Sequence, residues 1–224
     1  MRKGFLFIPV ITLLLFVSWK AFVPFDGLNG LKKVAEKSSE QSLAVFQDGD
    51  LIFQSSQSNL SRAIQLATHS KYSHVGMIYN TSSGLKVYEA IQPVRITPLK
   101  EWVERGDGGH YVVKRLINAD KLLNEQSIVK MKANGEKYLG KNYDGYFEWS
   151  DERIYCSELV WKMYKETFNI EIGKLQSLSE FDLSSPLVKQ QMKERYGKKI
   201  PLNEKVISPA AMFHSELLET IKEG

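Results

Sequence analysis

Tyr155-Cys156-Ser157-Glu158-Leu159-Val160-Trp161 holds the only cysteine of the chain. Leu159, Val160, Met163 and Tyr164 fall at i, i+1, i+4 and i+5, an apolar stripe that predicts an amphipathic helix starting here. Cys156 then sits in the first turn, where unpaired backbone N–H groups and the positive end of the helix dipole favour a thiolate. A thiol with a lowered pKa is a nucleophile at neutral pH. A free cysteine is equally at home as a small buried hydrophobe. What decides between the two is whether the chain supplies a base.

The histidines are His69, His74, His110 and His214. His69 lies in a polar loop, His214 in a tail helix, and His110 follows the turn-forming Gly106-Asp107-Gly108-Gly109. His74 opens Ser73-His74-Val75-Gly76-Met77-Ile78-Tyr79, a strand pattern whose alternation puts His74, Gly76 and Ile78 on one face. Gly76 has no side chain, so the space beside His74 is expected to stay open. Alone, such a histidine reads as a core-edge group bonded to backbone. Glu89 changes that reading. It lies in the apolar run Val87-Tyr88-Glu89-Ala90-Ile91, where an acid is out of place unless paired. Asn80 to Gly84 is dense in turn residues, which makes the two runs a hairpin. With an even loop, His74 and Glu89 face the same side, directly opposite or diagonal, within hydrogen-bond reach. A carboxylate on one imidazole nitrogen fixes the tautomer and leaves the other to face a thiol.

The remaining pattern predicts strands at Asp50 to Phe53, Tyr111 to Leu116 and Lys205 to Ile207. Helices are predicted from Ser58 to Ala67, Ile128 to Leu139 and Ser185 to Tyr196, with a short one capped by Thr97 with Pro98 at its first position and a last one after Ser208-Pro209. Strands cluster before helices and recur late, with no repeat. This is the pattern of one α+β domain, an antiparallel sheet packed against helices.

Arg2 and Lys3 precede an uncharged, mostly apolar run from Gly4 to Trp19, the pattern of an export signal. The run is short for a spanning helix, although Ala21 to Phe25 could extend it past Lys20. No small-x-small cleavage site follows. Residues 1–25 therefore read as a signal peptide or retained membrane anchor, residues 26–46 as a linker, and residues 47–224 as the catalytic domain. This places the domain in the cell envelope, in the periplasm or on the outer face of the inner membrane, associated with the membrane through residues 4–25. The formal charge of +4 includes Arg2, Lys3 and Lys20. Of 30 basic residues, removing those three leaves 27 against 26 acidic ones, so the body is near neutral and implies no nucleic-acid partner. A lone thiol in an oxidising compartment has no internal disulfide partner and suggests a reactive site.

Gly49-Asp50-Leu51-Ile52-Phe53, Ser73-His74-Val75-Gly76, Tyr88-Glu89-Ala90 and Tyr155-Cys156-Ser157-Glu158-Leu159 come in an order that resembles a family. The chain looks like a circularly permuted papain-like amidase of the YiiX type. That family belongs with the bacterial cell-wall cysteine endopeptidases and lecithin–retinol acyltransferase. The likeness runs from about Gln47 to Ser208, with the cysteine after the histidine, as permutation requires. It implies a permuted papain-like fold and a Cys–His–acid triad on Cys156, His74 and Glu89. It also implies a tyrosine beside the nucleophile, with Tyr155 and Tyr143 both eligible. The implied reaction is amide hydrolysis through a thioester, with no metal or other cofactor. Asp50 could orient a substrate amine or cap a turn. Peptidoglycan peptides are one expected substrate. Acyl transfer or thioester hydrolysis on lipid or acylated substrates is the alternative, and a binding module with an inactive site is a third. A polar, acidic cleft favours peptide and an apolar groove favours acyl chains.

Overall fold

A computed structural model describes residues 46–224 of the 224-residue chain. The export signal and nearly all of the linker expected from the sequence lie outside the described residues. Among the described residues, no helix is long and apolar enough to cross a membrane.

The elements run β1 (Leu51–Gln54), α1 (Asn59–Thr68), β2 (His74–Thr81), β3 (Gly84–Glu89), β4 (Arg95–Pro98) and α2 (Leu99–Glu104). Then come β5 (Val112–Leu116), α3 (Ala119–Leu122), α4 (Glu125–Glu136), β6 (Asn142–Tyr143), β7 (Arg153–Ile154) and α5 (Cys156–Phe168). The last are β8 (Gln176–Ser177), α6 (Pro186–Tyr196), β9 (Lys205–Val206), α7 (Pro209–Phe213) and β10 (Leu218–Glu223). Six strands form one antiparallel sheet in the order β10-β5-β1-β2-β3-β4. The α+β fold class read from the sequence is the observed one.

The alternation of β1 and β2 divides the core. Leu51, Phe53, Val75 and Met77 face a large cluster that takes in Leu159, Val160, Met163 and Tyr164 of α5. Ile52, Ile78 and Val87 face a smaller cluster capped by Leu99 and Trp102 of α2. The helix α5 packs against β2, β3 and α4. Its apolar stripe is wholly buried, and each such side chain removed from water contributes roughly 1.5–3 kcal/mol. This fixes α5, and therefore Cys156 at its first residue, against the sheet. Phe46, assigned to the linker from sequence, packs edge-on to Tyr111 and belongs to the second cluster.

Local rules set most boundaries. Ser58 caps α1, its hydroxyl accepting the Ser61 N–H at 3.1 Å. Ser208 caps α7, with Pro209 at its first position. The hairpin β2–β3 turns through Ser82 and Ser83, with Thr81 paired to Gly84. Gly84 has φ +98°, a value that side chains rarely adopt. Three readings differ from the structure. Thr97 lies in β4, and the N-cap of α2 is Pro98, so Thr97 is not a helix cap. The helix expected over Ile128 to Leu139 runs over Glu125–Glu136, because Asn124 caps it by accepting the Ser127 N–H at 3.0 Å. The C-terminal strand β10 went unforeseen; it pairs with β5 at the sheet edge through a bulge between Thr220 and Lys222.

Candidate active site

The site forms where the start of α5 meets the start of β2. The register Ile78↔Val87, Met77↔Tyr88, continued by one residue, puts Gly76 opposite Glu89. His74 and Glu89 are then diagonal neighbours on one face of the sheet. Their side chains meet: His74 Nε2 lies 2.8 Å from Glu89 Oε2. This leaves the other ring nitrogen, Nδ1, for the Cys156 thiol, to which His74 is also hydrogen-bonded. The three residues the sequence singled out as a triad thus stand in one chain of contacts, on a strand, a strand and a helix.

The space beside His74 is not open, contrary to the expectation from Gly76. A Cβ at Gly76 would lie 2.4 Å from Val87 Cγ1, 3.1 Å from the Tyr88 carbonyl oxygen and 3.5 Å from Trp102 Nε1. The glycine lets β3 and the indole close over the sheet. Trp102 is fully buried and stacks on the imidazole, ring centroids 5.8 Å apart and planes 23° from parallel. His74 is therefore held by packing as well as by its hydrogen bonds, with 17% of its side chain exposed.

Glu89 is fully buried and accepts from three donors. Besides His74 these are Thr97 Oγ1 at 2.5 Å and the Arg105 guanidinium. Arg95 Nε lies 4.0 Å away. Burial pushes the carboxyl pKa up, but the His74 hydrogen bond and charge, then Thr97 and Arg105, bring it below its ordinary value. Thr97, Arg105 and Trp102 were missed from sequence. Each is ordinary in its own segment, and only the β3–β4 pairing and the docking of α2 bring them to Glu89.

Burial alone would disfavour both a thiolate and an imidazolium here. For Cys156 the hydrogen bond and charge of His74, helped by the backbone N–H groups of Val75 and Ser157, outweigh burial and lower the thiol pKa. For His74 burial is outweighed by Cys156 and then Glu89, and the pKa rises from 6.5 to about 9. The two shifts describe one ion pair. Glu158 sits at the third residue of α5, where its carboxylate accepts the Tyr155 N–H at 3.4 Å and pairs with Lys162 at 2.7 Å. The first of these contacts closes the N-terminus of α5. Burial raises its pKa to about 7.

The two tyrosines part company. Tyr143 hydrogen-bonds the Cys156 thiol, and its own pKa is pushed well up by burial and then by the Cys156 charge. It is aimed there by β6, which pairs with β7 just before the cysteine, and by Gln92, whose Oε1 accepts the Tyr143 N–H at 2.7 Å. The Tyr155 hydroxyl instead accepts the Ile207 N–H at 3.1 Å, and its ring stands edge-on to Phe147. Asp50 is not part of the cluster. It is fully buried at the far end of β1 from the Gln54↔His74 pair. There it accepts from Arg115 at 2.7 and 2.8 Å and from the Gln47 N–H at 2.9 Å. The turn-capping reading of Asp50 fits this geometry and the substrate-orienting one does not.

A groove open to solvent runs to Cys156 between α1 and α6. Leu60 and Ile64 line one wall, Val188 and Met192 the other, and Phe147 and Leu178 close it. Its exposed surface is almost wholly apolar. The apolar face of α1, with Ala63 in the core, lines this groove, and α6 forms its second wall.

Comparison with known proteins gives a consistent picture. Residues 45–222 match the family described as permuted papain-like amidase enzyme, YaeF/YiiX. A protein of Escherichia coli strain K12, described as uncharacterized protein YiiX, is 49% identical over 175 residues, which is 78% of this chain and 85% of that protein. A crystal structure described as the metalloprotein YiiX from Escherichia coli O157:H7 superposes with a TM-score of 0.75 at 49% identity. It covers 80% of this chain and 97% of that one.

Proposed function

The chain belongs to the family of permuted papain-like amidases, and on that premise we propose that it is a cysteine amidase with Cys156 as nucleophile, His74 as acid–base and Glu89 as orienting acid. The observation that carries this reading is the continuous contact Cys156–His74–Glu89, with the thiol pKa lowered and the imidazole pKa raised to about 9. The Cys156 thiolate attacks the amide carbon, and a C–S bond forms as the carbonyl electrons move to oxygen. Backbone N–H groups at the start of α5 receive that oxyanion, with the Tyr143 hydroxyl beside them. Imidazolium His74 gives its proton to the leaving nitrogen, the C–N bond breaks, and amine departs from a thioester. Neutral His74 then takes a proton from water, hydroxide adds to the thioester, and carboxylate leaves as the thiolate and imidazolium return. Glu89 keeps the ring oriented and offsets its charge throughout.

The apolar groove favours an acyl chain over a polar peptide as the group beside the scissile bond. Thioester hydrolysis or acyl transfer is the second reading it supports, because both pass through the same acyl-enzyme. Peptidoglycan peptides are the less favoured substrate. Export to the cell envelope, with the domain held at or released from the membrane by residues 4–25, is supported by Arg2 and Lys3 ahead of the apolar run. The solved relative is described as a metalloprotein. Among the described residues of this chain no three His, Cys, Asp or Glu side chains are grouped to hold an ion, and Cys156, His74 and Glu89 are turned on one another. These donors do not fit a resident metal, and no step above passes through one.

The test is product analysis by mass spectrometry after incubating full-length protein with N-acyl amides, phospholipids and muropeptides, wild type beside Cys156→Ala. Cys156-dependent release of amine from acyl amides is expected. Turnover confined to muropeptides would overturn the acyl preference. Equal turnover by Cys156→Ala would overturn covalent catalysis and leave the binding-module reading.

A further inference from the structure

One cation breaks the apolar lining of the groove. Arg195, in the last turn of α6, lines it with Cys156 and Phe147. Its guanidinium lies over the Phe147 ring, 5.3 Å from the centroid. It is half-buried, and among the described residues no carboxylate pairs with it.

The acids around it are all held elsewhere. Asp144 accepts the N–H groups of Tyr146 and Glu148 at 2.8 and 2.7 Å and lies 3.7 Å from Arg153. Glu148 pairs with Arg153 at 2.7 Å. Glu194 accepts from Gln190 and Gln191, both at 2.8 Å. Glu204 accepts the Trp149 N–H at 3.2 Å. A guanidinium whose neighbouring acids are engaged, set in an apolar wall, has only an aromatic face to compensate its partial desolvation. An incoming anion would complete it with a two-pronged, charge-assisted hydrogen bond.

The geometry points to Arg195 as an anion-binding residue that selects acyl amides bearing a carboxylate, with the acyl chain along α1 and α6 and the carboxylate on the guanidinium. This substrate class rests on the amidase reading of Cys156, and it sharpens it: N-acyl amino acids rather than neutral acyl amides. Arg195 and Cys156 line the same groove, so one ligand can meet both. The apolar leader of the chain does not supply this anion, because residues 4–25 contain no Asp or Glu.

The experiment separates binding from turnover. In the full-length Cys156→Ala protein, which cannot form an acyl-enzyme, affinities are measured for N-octanoylglycine and its uncharged amide, N-octanoylglycinamide. The carboxylate should bind tighter by about tenfold or more, as expected for a charge-assisted contact. Adding Arg195→Gln should abolish that ratio while leaving the affinity for the uncharged amide within about twofold, and Arg195→Lys should restore part of it. Equal affinities, binding of neither ligand, or a ratio that survives Arg195→Gln would overturn the assignment. Turnover of N-octanoylglycine by protein with Cys156 intact is read separately. Charge-selective binding without hydrolysis would sink the amidase reading and leave the anion site standing.

Discussion

Replacing Glu89 with Gln removes one charge from the centre of the site and almost no volume. The carboxylate accepts from His74, Thr97 and Arg105 at once. In the variant the amide oxygen can still serve Thr97 and Arg105. That leaves the NH2 group turned toward His74 Nε2, which must then accept, and an imidazolium cannot accept there. Burial lowers the His74 pKa, and its charged partners raise it past 6.5 to about 9. Cys156 is the larger source of that rise and Glu89 the next. A hydrogen bond to a charged group contributes about 1.5–3 kcal/mol, so losing the Glu89 charge should lower the population of the thiolate–imidazolium pair by about tenfold or more. The assay is the rate of iodoacetamide alkylation of Cys156 against pH, which needs no substrate. In wild type the midpoint should lie below the ordinary thiol value of about 8.5, and in Glu89→Gln it should move up by about one unit. At neutral pH, kcat/KM should fall by about tenfold, with a larger loss in His74→Ala. A folded Glu89→Gln protein with an unmoved midpoint would refute the charge coupling between Glu89 and the thiol.

Two further outcomes follow from the same contacts. Gly76→Ala should destabilise the fold by about 1–3 kcal/mol, because the added methyl meets Val87 and the Tyr88 backbone at overpacked distances; a loss under about 0.5 kcal/mol in urea unfolding would contradict the close approach. The His74 pKa is raised on folding, so the stability it adds is complete below its unfolded value of 6.5 and is lost as pH rises through about 9; the urea midpoint of wild type should fall over that window more than that of His74→Gln, and parallel profiles would sink the linkage.

The legible parts of this chain were those encoded over a few residues. Ser58 and Ser208 announce their helices, the even hairpin loop sets the face of Glu89, and the stripe after Cys156 sets α5. A buried acid in an apolar strand was the strongest pointer to a site, because its desolvation demands partners. The partners themselves were not legible. Thr97 reads as a cap beside Pro98, and Arg105 and Trp102 read as ordinary residues of a short helix region, until β4 and α2 fold back over Glu89. Gly76 suggested room, whereas the larger fold uses it for contact. The apolar face of α1 gave a correct helix but not its place, since periodicity cannot tell a core face from the wall of a groove. Asp50 and Glu89 look alike in sequence, each an acid next to an apolar run. Arg115 claims one and His74 the other, and that difference is set by long-range strand order.

The central claim is that Cys156 becomes acylated, and intact-protein mass spectrometry tests it most directly. Full-length protein is mixed with a reactive octanoyl ester at neutral pH and quenched in acid within seconds. The expected result is one added octanoyl group in wild type, mapped to Cys156, released by hydroxylamine, and absent from Cys156→Ala. His74→Ala should acquire it far more slowly. A wild-type protein that gains no acyl group, or gains it equally when Cys156 or His74 is replaced, would contradict the account.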